Sequence, residues 1–272
     1  MFLFSCDAYK LSHKNQYPKG TEVICSNLTA RKSRIDGIDE VVVFGVQKFV
    51  TDLIKESNLF FQSSIYTIVN EYVETISKYM NVSPEKVETN HIESLHKLGY
   101  LPVHILAMPE GSKVKIGDPI LLIYNTHPDF FWLTNYLETW MSNSLWGPIT
   151  SATTARRYRK ILDEAANKTS SCPEFVDWQG HDFSMRGMWG NEAAAMSGMG
   201  HLLYFSGTDT IPAIKMIEKY YGETPIAGSV PASEHSVASC SMECKEIEIE
   251  EEYSVEVTYS DDGQIISEIE LS

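Results

Sequence analysis

The stretch His181-Asp182-Phe183-Ser184-Met185-Arg186-Gly187, with its two sequels Gly207-Thr208-Asp209-Thr210 and Ser229-Val230-Pro231-Ala232-Ser233-Glu234-His235-Ser236, decides how the chain is read. Each piece reads as a short strand ending in a turn that opens a helix. After Arg186-Gly187, residues 191–203 have helical character and many small side chains, among them Ala193, Ala194, Ala195, Gly198 and Gly200. After Asp209, Pro212 stands where a first helical turn tolerates proline, and 213–220 continue with helical spacing. Strands alternating with helices of this length imply parallel βα units. Polar residues at the carboxyl ends of such strands form the site. Phe183, Arg186, Asp209 and His235 fall near those ends. Taken singly, each has a plainer reading: an Asp after Gly-Thr caps a helix, a Phe fills a core, and a His satisfies hydrogen bonds.

In order and together, the three pieces are more specific. They resemble the nicotinamide phosphoribosyltransferase family, which carries a His-Asp-Phe…Arg-Gly strand end, a Gly-Thr-Asp-Thr strand end and a Pro-Ala-x-Glu-His-Ser segment in this order. The resemblance also covers Asp7-Ala8-Tyr9-Lys10-Leu11-Ser12-His13, Gln16-Tyr17-Pro18, Pro109-Glu110-Gly111 and Trp132-Leu133-Thr134-Asn135-Tyr136-Leu137-Glu138-Thr139. It runs from near the first residue to about Ser241.

The resemblance implies an α/β protein: α+β elements plus an incomplete, irregular α/β barrel of the type II phosphoribosyltransferase kind. It implies a mixed helical and antiparallel β domain over 1–150, with an amino-terminal segment crossing to a partner subunit, and the first part of the barrel over 151–242. The implied reaction joins nicotinamide to phosphoribosyl pyrophosphate, with Mg²⁺ accompanying the pyrophosphate and ATP as an activator. Asp209, His235 and Arg186 are the implied catalytic positions; Phe183, Tyr9, Asp7 and Arg31 are the implied substrate-binding ones. Phe183 would stack on the pyridine ring, with Tyr9 of a homodimer partner on its other face. Asp209 would accept from the amide and repel nicotinate. Arg186 and His235 would meet the pyrophosphate, and Arg31 would approach that of the neighbouring site. Other groups the family uses, an Arg-x-Asp segment and glycine loops for the nucleotide phosphate, do not occur in this sequence. A truncated, non-catalytic homologue that binds nicotinamide or pairs with a full-length enzyme is therefore a second reading.

The rest of the chain supplies limits. At 272 residues it can bury a large core. No apolar run approaches a membrane span, and Met1-Phe2-Leu3-Phe4 lacks the features of a signal peptide, so a cytoplasmic protein without membrane partners is expected. Five cysteines form no zinc-like pattern, and no metal site is expected from them. The net charge of −15 argues against nucleic acid. From Glu243 onward there are eleven acidic residues and one lysine, so most of the excess sits in the tail.

Apolar spacing predicts helices over 41–55 and 64–80, and a third opened by Ser83-Pro84-Glu85 and reaching Lys97. Residues 102–125 read as an antiparallel β unit turned at Pro109-Glu110-Gly111 and Gly117-Asp118. Two helices are expected next: an aromatic one over 128–146 that serves as core and dimer interface, and a basic one over 152–168 with Arg156, Arg157, Arg159 and Lys160, whose basic stripe is a solvated face or a phosphate contact. The tail alternates with period two from Lys245 to Glu250 and on both sides of Asp261-Asp262-Gly263, which predicts an acidic β hairpin over 243–272 that does not match the family.

Overall fold

The computed structural model describes residues 2–242, and residues 254–259 and 265–270 by their backbone. It divides into two units, Met1–Ser229 and Val230–Ser272.

In the first unit, strand β1 (Cys25–Thr29) lies against β5 (Pro119–Asn125), which also pairs with β3 (Val103–Ala107), so the order is β1-β5-β3 with all neighbours antiparallel. A separate antiparallel pair joins β2 (Glu40–Val42) to β4 (Lys113–Lys115). The β unit expected over 102–125 is therefore present, with its middle strand in a different sheet.

Helices α1 (Val46–Gln62), α2 (Ile65–Met80) and α3 (Asn90–Leu98) pack beside the sheet. Two of the expected helix starts are corrected. Residues 41–43 are a run of valines, and β-branched side chains suit a pleated strand better than a helical turn. Val41 and Val42 enter strand β2, and α1 begins only after Gly45, whose φ of +91° breaks the extended path. At Ser83-Pro84-Glu85 the chain makes only a 3₁₀ turn, Pro84–Lys86, and the helix starts again at Asn90. Gly99 ends α3 in the left-handed conformation, as its position after the last apolar turn predicts.

Helix α4 runs unbroken from Trp132 to Thr169. Two helices were expected here, divided near Gly147-Pro148, so the boundary at 150 falls inside one element. Proline withholds one backbone donor and costs about 3 kcal/mol in a helix interior, but here both flanks are anchored. Leu133, Leu137, Met141, Leu145 and Ile149 enter a core shared with Phe49, Leu53, Phe60, Ile68, Leu95 and Ile123. Beyond Pro148, Ala152 packs with Val42, Phe44, Met199 and Ala213, and Ala155 with Val176 and Phe205. The packing partners of α4 thus change near 150, although the cluster around Ala152 draws Val42 and Phe44 from before that point. Phe130, Trp132 and Tyr136 lie in the first cluster of their own chain, while Trp146 is exposed.

After α4 come β6 (His181–Asp182), α5 (Ser184–Gly187), α6 (Gly190–His201), β7 (Gly207–Thr208) and α7 (Ile211–Tyr221). The small residues of α6 allow close contact: a Cβ on Gly200 would stand 2.9 Å from both Pro148 O and Ala152 N. Lys48, buried on α1, holds Asp52 at 2.8 Å and Glu192 of α6 at 2.9 Å. Tyr220 at the end of α7 donates to Asp52 at 2.7 Å. Burial opposes the ammonium charge, but these hydrogen bonds and carboxylates outweigh it and raise the Lys48 pKa.

The second unit holds a short helix, α8 (His235–Cys240), and the antiparallel strands β8 (Ser254–Tyr259) and β9 (Ile265–Glu270), in register from Ser254↔Glu270 to Tyr259↔Ile265. The hairpin strands are as the alternation predicts. The Asp261-Asp262-Gly263 turn and the 245–250 alternation lie outside the described residues.

Candidate functional site

Three parallel strand tips lie side by side. His181 pairs with Gly207 and Asp182 with Thr208, and Gly207 makes a further parallel bridge to Gly228. The close approach requires a bare backbone: a Cβ on Gly207 would stand 2.7 Å from Gly180 O and 2.8 Å from His181 Nδ1. Asp182 is buried between the tips, accepting from Ser184 Oγ at 2.5 Å and Thr208 Oγ1 at 3.4 Å. Its carbonyl accepts from the Asp209 amide at 3.0 Å, which fixes Asp209 beyond β7. Thr210, fully buried, donates its amide to Thr208 Oγ1 at 3.0 Å and starts α7 with Pro212 in the first turn.

This scaffold gathers four side chains. Ser229 Oγ donates to Asp209 Oδ1, and His181 Nε2 stands 3.3 Å from the same oxygen. His181 Nε2 and Ser229 Oγ are 3.5 Å apart. The His181 ring tilts against Phe183 with centroids 4.9 Å apart. The hydrogen bond from Ser229 and then that from His181 hold the Asp209 carboxyl below its ordinary pKa. Its contacts with the described residues all fall on Oδ1, which leaves Oδ2 open to accept from a ligand. Phe183 is 63% exposed, an open flat surface beside that carboxylate.

Phe183 and Asp209 are therefore brought together as the sequence implied. Arg186 sits one turn after Phe183 on α5, its amide donating to Phe183 O at 3.2 Å. His235 opens α8 in the second unit. Asp7 and Tyr9 belong to another part of the first unit. Asp7 precedes the 3₁₀ helix Ala8–Asn15, where Tyr9 OH donates to Asp7 Oδ2 at 3.3 Å and Thr139 Oγ1 to the same atom at 2.8 Å. The Asp7 charge raises the Tyr9 phenol pKa. Buried Lys10 anchors the segment to α4 through Asn135 O at 2.7 Å and Glu138 at 2.6 Å. Tyr9 is 62% exposed, and within one chain it touches none of the strand-tip residues. Arg31 is exposed in the segment between β1 and β2 and makes no hydrogen bond or ion pair with a described residue.

Sequence reasoning assigned no role to His181 or Ser229. Both lie inside the quoted motifs, so the signal was position: His181 is two residues before Phe183, and Ser229 follows the third tip at Gly228.

The parallel tips, the helices that follow them and the antiparallel layer define an α/β architecture of the type II phosphoribosyltransferase class. Human nicotinic acid phosphoribosyltransferase superposes with a TM-score of 0.59 over 86% of this chain and 40% of that one, at 19% identity. Sequence comparison narrows the likeness. Residues 1–105 match the family described as nicotinamide phosphoribosyltransferase, N-terminal domain, and residues 178–262 match the nicotinate phosphoribosyltransferase family. The nicotinamide phosphoribosyltransferase of Acinetobacter baylyi is 44% identical over 90% of this chain and 50% of its own length. The proteins of that name from Xanthomonas campestris pv. campestris and Mycoplasma genitalium are 31% and 32% identical, each over 86% of this chain and 48% and 52% of their own. The chain is thus similar to the amino-terminal half of nicotinamide phosphoribosyltransferase, and spans about half the length of the curated relatives it matches. The second family match runs to residue 262, past Ser241 where the recognised motifs end.

Proposed function

We propose that the strand tips bind nicotinamide for its transfer to phosphoribosyl pyrophosphate, giving nicotinamide mononucleotide and pyrophosphate in NAD salvage in the cytoplasm. The observation that carries this reading is the Asp209 carboxylate, held ionised by Ser229 and His181 with Oδ2 open, beside the exposed ring of Phe183. A carboxylate there accepts from a pyridine amide and repels nicotinate, so selectivity has an attractive and a repulsive part. Phe183 offers one face for stacking.

The pyridine nitrogen is already a free nucleophile and attacks the anomeric carbon directly. The bond to the pyrophosphate oxygen breaks, and the electron pair leaves with the diphosphate. The chain's task is to hold the ring in line and to offset the charge of the leaving group. Arg186, one turn from Phe183, suits the second part through its planar fork of donors. Mg²⁺ would accompany the diphosphate and offset its charge. ATP, as activator, would act through His235.

A homodimer completes the site in this proposal, since Tyr9, Asp7 and Arg31 make no contact with the strand-tip residues of their own chain. A second reading, a non-catalytic homologue that binds nicotinamide or pairs with a full-length enzyme, is favoured by one observation: the described parallel array has only the tips at His181, Gly207 and Gly228. Incubation of the purified protein with nicotinamide, phosphoribosyl pyrophosphate and Mg²⁺ decides between them. Formation of mononucleotide is expected. If none forms at high protein concentration while calorimetry still registers nicotinamide, the binding reading stands; if neither occurs, both fall.

A further inference from the structure

We propose a second anion site, built for a phosphate group, between the turn at 37–40 and helix α4, separate from the strand tips. A cavity of about 290 Å³ opens there, bounded by Gly37–Glu40 on one side and by Arg156, Arg157 and Lys160 on the other. Helical spacing explains the arrangement. Thr153, Arg156, Arg157 and Lys160 are three, four and seven residues apart along α4, so they share one face. Arg159 points elsewhere, bound to Asp163 at 2.8 Å and Asp177 at 2.6 Å.

The three cations differ in how they are satisfied. Arg156 reaches Glu40 at 3.3 Å. Arg157 and Lys160 make no hydrogen bond or ion pair with any described residue. Arg157 is nevertheless half-buried, with its guanidinium against Gly37: a Cβ at that glycine, whose φ is +77°, would lie 3.3 Å from a terminal guanidinium nitrogen. Asp39 lines the same cavity yet forms no ion pair with Arg157. Glu40 is already engaged by Arg156, so the cavity keeps an excess of positive charge in a chain of net charge −15. A planar guanidinium packed against Gly37, with no donor engaged by a described residue and an ammonium one turn on, suits a tetrahedral oxyanion, which takes two parallel bonds from the fork and a third from the amine.

A neighbouring cavity of about 660 Å³ shares Ile38 and Thr153 with this one. Ile35, Val41, Trp146 and Ile149 give it apolar walls, and Lys32 and Arg34 also line it. It has room for the organic body of a phosphate ester whose phosphate lies on Arg157. The shared chemistry is the phosphate group, and its source is either the free ion or such an ester.

Calorimetric titration at constant ionic strength tests the site, with inorganic phosphate and a nucleoside monophosphate as probes and chloride as the control. Phosphate is expected to bind above chloride, and Arg157→Ala and Lys160→Ala are each expected to weaken it by about tenfold. Lys160 is exposed, so its removal leaves the fold intact even if Arg157→Ala does not. Arg186→Ala is expected to leave this binding in place. Tighter binding of the monophosphate identifies an ester as the ligand, and equal binding identifies the free ion. The proposal is overturned if neither probe exceeds chloride, or if Arg186→Ala removes the signal while Lys160→Ala retains it.

Discussion

At the scale of single residues, the proposed selectivity rests on Asp209. Its carboxyl is held below the ordinary range first by Ser229 and then by His181, so it stays charged through neutral pH. Preference for nicotinamide over nicotinate should be flat from neutral pH down to about pH 4, the ordinary carboxylate range, and fade only below it. Asp209→Asn keeps the shape and removes the repulsion. It should narrow the ratio of the two dissociation constants by about tenfold or more; an unchanged ratio in competitive titrations would take Asp209 out of this role. His91 makes a different prediction, about stability. Burial, followed by the charge of Lys14, lowers its pKa to about 4, and its Nδ1 is buried without a partner. The unfolded chain binds that proton at about pH 6.5. Stability therefore falls as pH drops below 6.5 and levels off near 4, by roughly 3 kcal/mol from this group. His91→Leu, beside Trp132 and Tyr72, should flatten that part of the urea-unfolding profile; parallel profiles for the two proteins would refute the assignment.

At the scale of elements, the short strand tips were legible because helix starts follow them, as Pro212 marks in α7, and because small residues crowd α6. The valines at 41–43 were misread because a run of apolar residues suits either period, and what decided it was the partner strand Lys113–Lys115, far away in sequence. Helix α4 was read as two because Gly147-Pro148 is locally a stop, yet cores on both sides hold the helix together through it. That seam also shows what Gly200 does. A methyl there meets Pro148 O and Ala152 N at 2.9 Å, both backbone atoms that cannot turn aside. Gly200→Ala should force α6 from α4 and destabilise the fold by about 1–3 kcal/mol, although Ala is the better helix former. A melting temperature equal to or above that of the parent would show that the helices yield at no cost.

At the scale of the whole molecule, the candidate site is split across the fold. Phe183 and Asp209 stand together at the strand tips, while Tyr9 is tied to Asp7 and α4, exposed, with no strand-tip residue among its contacts. The family resemblance implies such a division, whereas local periodicity does not, because it depends on which surfaces meet in an assembly. If the second face of the ring is supplied by another copy, the effects of two substitutions must differ with protein concentration. Phe183→Ala removes a stacking surface within the chain and should weaken nicotinamide binding by about 1 kcal/mol at every concentration. Tyr9→Ala should have a comparable effect only where sedimentation equilibrium shows a dimer, and none where it shows a monomer. Mixed dimers sharpen the test. A Tyr9→Ala copy paired with a Phe183→Ala copy contains one site lacking both rings and one lacking neither, so half the binding capacity should return at parental affinity. A chain that is monomeric at every accessible concentration, or a mixture that recovers nothing, would leave Tyr9 serving its own chain through Asp7 and Thr139 alone.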